Sequence, residues 1–191
     1  MLRRAVLIVA LLNLGYGIIE FVVALRIGSV SLFADSVDFF EDTSINLLIF
    51  LGLAWSAKQR ARLGMALAGI LLIPAAATLW TGIEKFLNPT PPDPFSLTLT
   101  GLGALIVNLT CALVLTRFRS HSGSLTRAAF LSARNDAFAD LAIIAAGLVT
   151  AYLWHAIWPD LIVGIAVACL NADAALEVWA AARAEHRAVE A

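Results

Sequence analysis

Charge is scarce in this sequence. Asp, Glu, Lys and Arg make up 14% of its 191 residues and the net charge is −1, so no basic stripe is available for a nucleic-acid backbone. Only 2 cysteines and 3 histidines are present. Cys111 and Cys169 both sit inside apolar runs, which fits buried thiols and argues against a disulfide framework, a thiolate metal cluster or redox chemistry. His121, His155 and His186 all fall in connectors or the tail. There is no His-Glu-x-x-His helix, and no Ser or Cys has an obvious base partner. What the chain has in excess is apolar residues, 61% of the total against roughly 45–50% in soluble domains.

A bilayer core takes roughly 20 apolar residues per helix. Hydropathy separates six such segments: Ala5–Leu25, Ser31–Trp55, Leu63–Phe86, Phe95–Thr116, Ala128–Trp154 and Leu161–Ala180. The expected fold is therefore an all-α membrane protein with six transmembrane helices. Lys58, Gln59 and Arg60 separate the second segment from the third, and the four prolines between Asn88 and Pro94 break the third from the fourth. The first segment has no cleavage site and reads as a retained helix. Ten of the Lys and Arg residues fall on one side of this arrangement and two, Arg26 and Lys85, on the other; Arg134 lies within the fifth segment. That asymmetry places both termini in the cytoplasm. Residues 1–180 are expected to form one transmembrane domain and residues 181–191 a short cytoplasmic tail.

Against this apolar background the acidic residues stand out, because a carboxylate near the middle of a span costs a few kcal/mol and normally faces a cavity or an ion path. At about 100° per residue, Asp35, Asp38 and Asp42 fall within a wedge of about 60° on the second helix. Such a cluster repels itself unless a cation sits in it, so the spacing suggests a divalent-metal site. The fifth helix offers Asp136 and Asp140 on one face, with Ser132 one turn earlier. Two Asp-x-x-x-Asp pairs on two helices can converge into a four-oxygen site. Asn13 and Glu20 in the first segment, Asn108 in the fourth and Asn135 in the fifth are candidate path residues, as are Asn171 and Asp173 in the sixth. Asn108 and Asn171 equally suit interhelical hydrogen bonding. Asp160, after Pro159, reads as the N-terminal cap of the sixth helix and not as a ligand.

The run Gly28-Ser29-Val30-Ser31-Leu32-Phe33-Ala34-Asp35, continuing into Asp38 and Asp42, resembles the second-helix signature of the cation diffusion facilitator family. Ala129 to Phe138 is similar to the family's fifth-helix stretch, and Trp158 to Gly164 resembles the opening of its sixth. The resemblance covers nearly the whole chain. It implies a six-helix domain, usually homodimeric, that moves divalent transition metals out of the cytoplasm in exchange for protons by alternating access. It also carries the family's central site onto Asp38, Asp42, Ser132 and Asp136.

The sequence departs from the family at two points. Many zinc-transporting members have histidine where Ser132 stands, and a hydroxyl is a poor zinc ligand beside an imidazole. An oxygen set of Asp38, Asp42 and Asp136, with Asp140 or Asn135 added, favours Mn²⁺ or Fe²⁺, while the family resemblance keeps Zn²⁺ a candidate. The chain is also expected to lack the family's usual cytoplasmic metal-binding domain, so a homodimer is expected to be held by the membrane helices. No cofactor is expected beyond the transported cation and protons; the other partner is the lipid bilayer, in a bacterial inner membrane. Two rival readings use the same carboxylates: a metal-binding scaffold or regulatory subunit without transport, and an intramembrane metal-dependent enzyme.

Overall fold

The computed structural model describes residues 2–52, 76–116, 123–172 and 180. These form helices α1 (Leu2–Ile27), α2 (Val30–Gly52), α3 (76–87), α4 (Pro94–Thr116), α5 (Gly123–Tyr152) and α6 (Trp158–Ala172), with no strand among the described residues. The all-α, six-helix architecture expected from hydropathy is the one found. Residues 63–75 of the third segment, Asp173 and the 181–191 tail lie outside the described residues.

Among the described helix starts, three lie three or more residues ahead of the hydropathy reading: that of α1, at Leu2 instead of Ala5, and those of α5 and α6. α5 begins at Gly123 instead of Ala128, because its first turn is built from Ser, Thr and Arg, which hydropathy does not register as helix. α6 begins at Trp158, where the N–H of Leu161 already bonds the Ile157 carbonyl at 2.9 Å. Among the described residues, two helices, α1 and α4, are long and apolar enough to cross a membrane by length and composition. The acids of α2 and α5 lower their apolarity while marking their inward faces.

α1 packs along α2 and α4 along α5; α1 also meets α4 and α2 meets α5, closing a ring of four helices. The ring has an apolar layer at each end. Val6, Val9, Ile49, Cys111, Ala112 and Leu115 fill one, at the α1 N-terminal end. Ala24, Leu32, Phe33, Val37, Leu97 and Ile143 fill the other, at the end carrying the α1–α2 turn. α6 lies outside the ring against α2, with Ala34 touching Val167 and Ala168, and Val30 touching Ile157 and Leu161. Gly164 lets it come this close, since a Cβ there would stand 2.7 Å from the backbone of Val30 and Ser31. Outward, Trp80, Phe95, Leu113, Phe138 and Leu170 are largely exposed. Apolar side chains outside and polar ones inside reverse the pattern of a water-soluble bundle and suit a lipid surround.

The two tight connections have local causes. α1 ends in a Schellman-type turn: Gly28 takes a φ of 63° and the N–H of Ser29 bonds the Ala24 carbonyl at 3.1 Å. Lys85 at the end of α3 reaches over and donates to the Gly28 carbonyl at 2.6 Å. α4 starts on Asp93, whose Oδ2 accepts the Ser96 N–H at 2.8 Å while Pro94 occupies the first helical position, where no N–H is needed.

Candidate metal centre

Between the two apolar layers the ring is polar. Asn13 and Glu20 enter from α1, Asp35 and Asp42 from α2, Asn108 and Cys111 from α4, and Asp140 from α5, all buried. Asp38 and Asp136 are half-buried at the same level. Each set recurs at helical spacing, so each faces the ring's interior.

The carboxylates sort into two groups, displaced along the bundle axis. In the first, Asp38 of α2 and Asp136 of α5 come within hydrogen-bonding reach of each other, and Asp42 contributes to the field at Asp136. Asp42 is held from α1, where Asn13 Nδ2 donates to its Oδ2 at 3.2 Å, and the Cys111 thiol donates to Asn13 Oδ1 at 3.3 Å. In the second group, nearer the α1–α2 turn, Asp35 lies within hydrogen-bonding reach of Glu20 on one side and Asp140 on the other. Asn108 Nδ2 donates to Asp140 Oδ2 at 2.9 Å. Among the described residues, no donor reaches either oxygen of Glu20, either oxygen of Asp35, or Asp140 Oδ1. Among the described residues, no basic side chain contributes to the field at these three carboxylates. Three buried acids without a counter-charge among the described residues are an arrangement that calls for cations.

The sequence-derived candidates therefore separate. Asp38, Asp42 and Asp136 are brought together, with Asn13 behind Asp42. Asp140 faces Asp35 and Asn108, together with Glu20. Asn135 is exposed on α5, away from the buried layer. Ser132 belongs to α5, but its side chain lies outside the described residues. Among the described residues, no three His, Cys, Asp or Glu groups enclose an ion in this conformation. His155 is exposed in the α5–α6 connector; His121 and His186 lie outside the described residues. Asn108 and Asn171 both bond between helices, the latter donating to the Ala34 carbonyl at 3.0 Å.

Two expectations are corrected, and Glu41 and Cys111 were not singled out from the sequence as site residues. Cys169, read as a buried thiol, is exposed on α6, beside Leu170 on the outward face. Asp160 is a cap, but of α2, not of its own helix. Its Oδ2 accepts the Val30 N–H at 2.9 Å, and its Oδ1 accepts the Ser31 N–H at 3.1 Å and the Ser29 hydroxyl at 2.7 Å. On α6 it stands three residues past the Ile157 carbonyl that opens the helix, so the local capping position was already filled. Glu41 is buried, and no donor reaches its Oε1; its place between Phe40 and Asp42 was visible, its inward face was not. Cys111 joins the Asp42 network, which its apolar neighbours in sequence gave no reason to expect.

No curated protein matches the sequence. Residues 6–183, which take in all of the described helices except the first turn of α1, match the cation efflux transmembrane domain. With carboxylates from α2 and α5 meeting inside a membrane bundle and this match over nearly its whole length, the chain belongs to the cation efflux family of metal-cation transporters, which are not enzymes.

Proposed function

We propose that the chain exports a divalent transition-metal ion from the cytoplasm, with Asp38, Asp42 and Asp136 as its ligands, Ser132 as the fourth position carried by the family resemblance, and protons as the exchanged ions. The meeting of Asp38 and Asp136 across the α2–α5 contact carries this reading. The two carboxylates sit on different helices, so a small rocking of α2 against α5 opens or closes the ligand set. That the described groups do not enclose an ion in this conformation is compatible with a site completed by such a movement. Alternating access then needs no change within either helix.

Exchange follows from competition. Each aspartate holds either a proton or part of a cation, so protons arriving from the far side displace the metal, and metal binding on the cytoplasmic side releases protons. The Asp35, Glu20 and Asp140 group, one layer away, gives the path a second set of carboxylates that Asp140 shares through α5. Oxygen ligands favour Mn²⁺ or Fe²⁺ over Zn²⁺, with zinc retained as the family's common cargo. A homodimer in a bacterial inner membrane with both termini cytoplasmic completes the proposal.

The test is metal flux into proteoliposomes across a pH gradient, with Zn²⁺, Mn²⁺, Fe²⁺, Co²⁺ and Cd²⁺ compared on wild type and Asp38→Ala. Flux that depends on the gradient and disappears in the variant supports the reading. Equal flux in both would remove Asp38 from the site, and binding without flux for any ion would replace transport by a metal-binding scaffold.

A further inference from the structure

Asn13 and Cys111 are buried, uncharged, and on helices that supply no carboxylate to the proposed metal site. They nevertheless form a continuous chain to it: the Cys111 thiol donates to Asn13 Oδ1 at 3.3 Å, and Asn13 Nδ2 donates to Asp42 Oδ2 at 3.2 Å. Asn13 is 0% exposed, Cys111 0% and Asp42 5%. The two ends of a side-chain amide are similar in size, so shape alone does not fix which way it points, but its oxygen only accepts and its N–H₂ only donates. Here one end faces an S–H that needs an acceptor and the other a carboxylate that needs a donor. Only one orientation satisfies both. The amide therefore has its N–H₂ end fixed toward Asp42 by a group on α4.

We propose that Asn13, oriented by Cys111, is a positioning residue for cargo binding: it fixes the direction of the Asp42 carboxylate, so that α2 presents this ligand without having to order it when the metal arrives. The inference rests on Asp42 being a ligand. Hydrogen-bonded partners behind a metal ligand commonly set its orientation and basicity, and their loss lowers metal affinity by about 10- to 100-fold. The thiol acts here as a donor to an amide oxygen. It orients the ligand without binding metal itself, so the site keeps its oxygen character although a soft sulfur lies one residue behind it.

The test uses the full-length protein in proteoliposomes, with Mn²⁺ and Cd²⁺ as probes and thermal unfolding in detergent as a parallel readout. Asn13→Ala is expected to raise the KM for Mn²⁺ by about tenfold with maximal flux near wild type, the pattern of a lost positioning contact. Cys111→Ser keeps an O–H donor to Asn13 and is expected to match wild type for both ions. Cys111→Ala removes the donor and is expected to fall between wild type and Asn13→Ala. An unchanged KM in Asn13→Ala overturns the proposal. So does a fall in maximal flux that follows the unfolding temperature with KM constant, which describes a packing role. A selective loss of Cd²⁺ affinity in Cys111→Ser overturns it in a different way, since the thiol would then be a ligand. Failure of the underlying transport reading is separately visible, as absence of gradient-driven flux in wild type.

Discussion

Asp160 Oδ1 accepts two hydrogen bonds from Ser31, one from its N–H at 3.1 Å and one from its hydroxyl at 2.6 Å. With the Val30 N–H on Oδ2, a residue of α6 satisfies the first two backbone donors of α2. Ser29 Oγ accepts the third, from Leu32, at 3.2 Å. The start of α2 is thus completed by another helix. Asp160→Ala leaves these donors without their partner in a place where Asp160 is 0% exposed. An orphaned buried donor costs roughly 1–3 kcal/mol. A clear drop in unfolding temperature in detergent is expected, larger than that of Asp160→Asn, which keeps one accepting oxygen. Equal unfolding temperatures for wild type and Asp160→Ala would show that water or another group takes over the cap.

The α4 start has a milder dependence on pH. Ser96, through its hydroxyl and its N–H, holds the Asp93 carboxyl below the usual carboxylate range. A group depressed on folding stabilises the fold above its unfolded value, about 3.9, and this contribution is lost as pH falls through the folded value. Asp93 is exposed, so solvent screening keeps the contribution small. Comparing acid unfolding of wild type and Asp93→Ala between neutral pH and pH 3 measures it: the two curves separate at neutral pH and converge in acid. Curves that stay parallel throughout would mean the charge on Asp93 adds nothing to the cap.

How much of this was legible in the sequence depended on whether the cause was local. The helices follow from apolar runs and from the prolines between Asn88 and Pro94, and the inward acids follow from helical spacing. The division of the acids did not, because residues four apart share a face but stand about 6 Å apart along the axis. Asp136 and Asp140 therefore look like one pair in sequence, while Asp136 meets Asp38 and Asp140 meets Asp35. Asp160 and Cys111 were harder still. Their partners, Ser31 and Asn13, are 129 and 98 residues away, and nothing in the neighbouring sequence specifies them.

For the site itself, neutralising either member of the facing pair is expected to stop flux while leaving the bundle folded. Asp38 and Asp136 are like charges within reach of each other, so Asp38→Asn or Asp136→Asn removes a repulsion as well as a ligand. Unfolding temperature without metal should stay level or rise, and the stabilisation by added Mn²⁺ seen for wild type should vanish. A variant that still gains stability from Mn²⁺ as wild type does would exclude that carboxylate from the ligand set.

The second acidic group predicts a different outcome. Among the described residues no donor reaches the oxygens of Glu20 or Asp35, and replacement by Gln and Asn supplies donors while removing buried charge. Glu20→Gln is expected to preserve or increase stability and to leave equilibrium Mn²⁺ binding at the Asp38 site within a few-fold of wild type, while weakening the response of flux to the pH gradient. Isothermal titration and gradient-driven flux on the same preparation separate these effects. Loss of Mn²⁺ binding in Glu20→Gln would instead join the two acidic groups into one site.

At the proposed site the choice of cargo is expected to turn on Ser132, since the family that the sequence resembles has histidine there in many zinc-transporting members. A hydroxyl is a weak ligand for a borderline-soft ion, whereas an imidazole nitrogen is among the commonest zinc ligands. Ser132 lies four residues before Asp136 on α5, a spacing of about one helical turn. Ser132→His is therefore expected to raise the Zn²⁺ to Mn²⁺ ratio of KM-limited flux by tenfold or more, at about 1.4 kcal/mol per factor of ten. Most of the change should come from tighter Zn²⁺ and little from weaker Mn²⁺, because the three aspartates are retained. The added imidazole also titrates near neutral pH, so the Zn²⁺ gain should shrink below about pH 6 as it becomes protonated. A ratio unchanged at pH 7.5 would mean that position 132 does not reach the cation, and that the oxygen character of the site is set by Asp38, Asp42 and Asp136 alone.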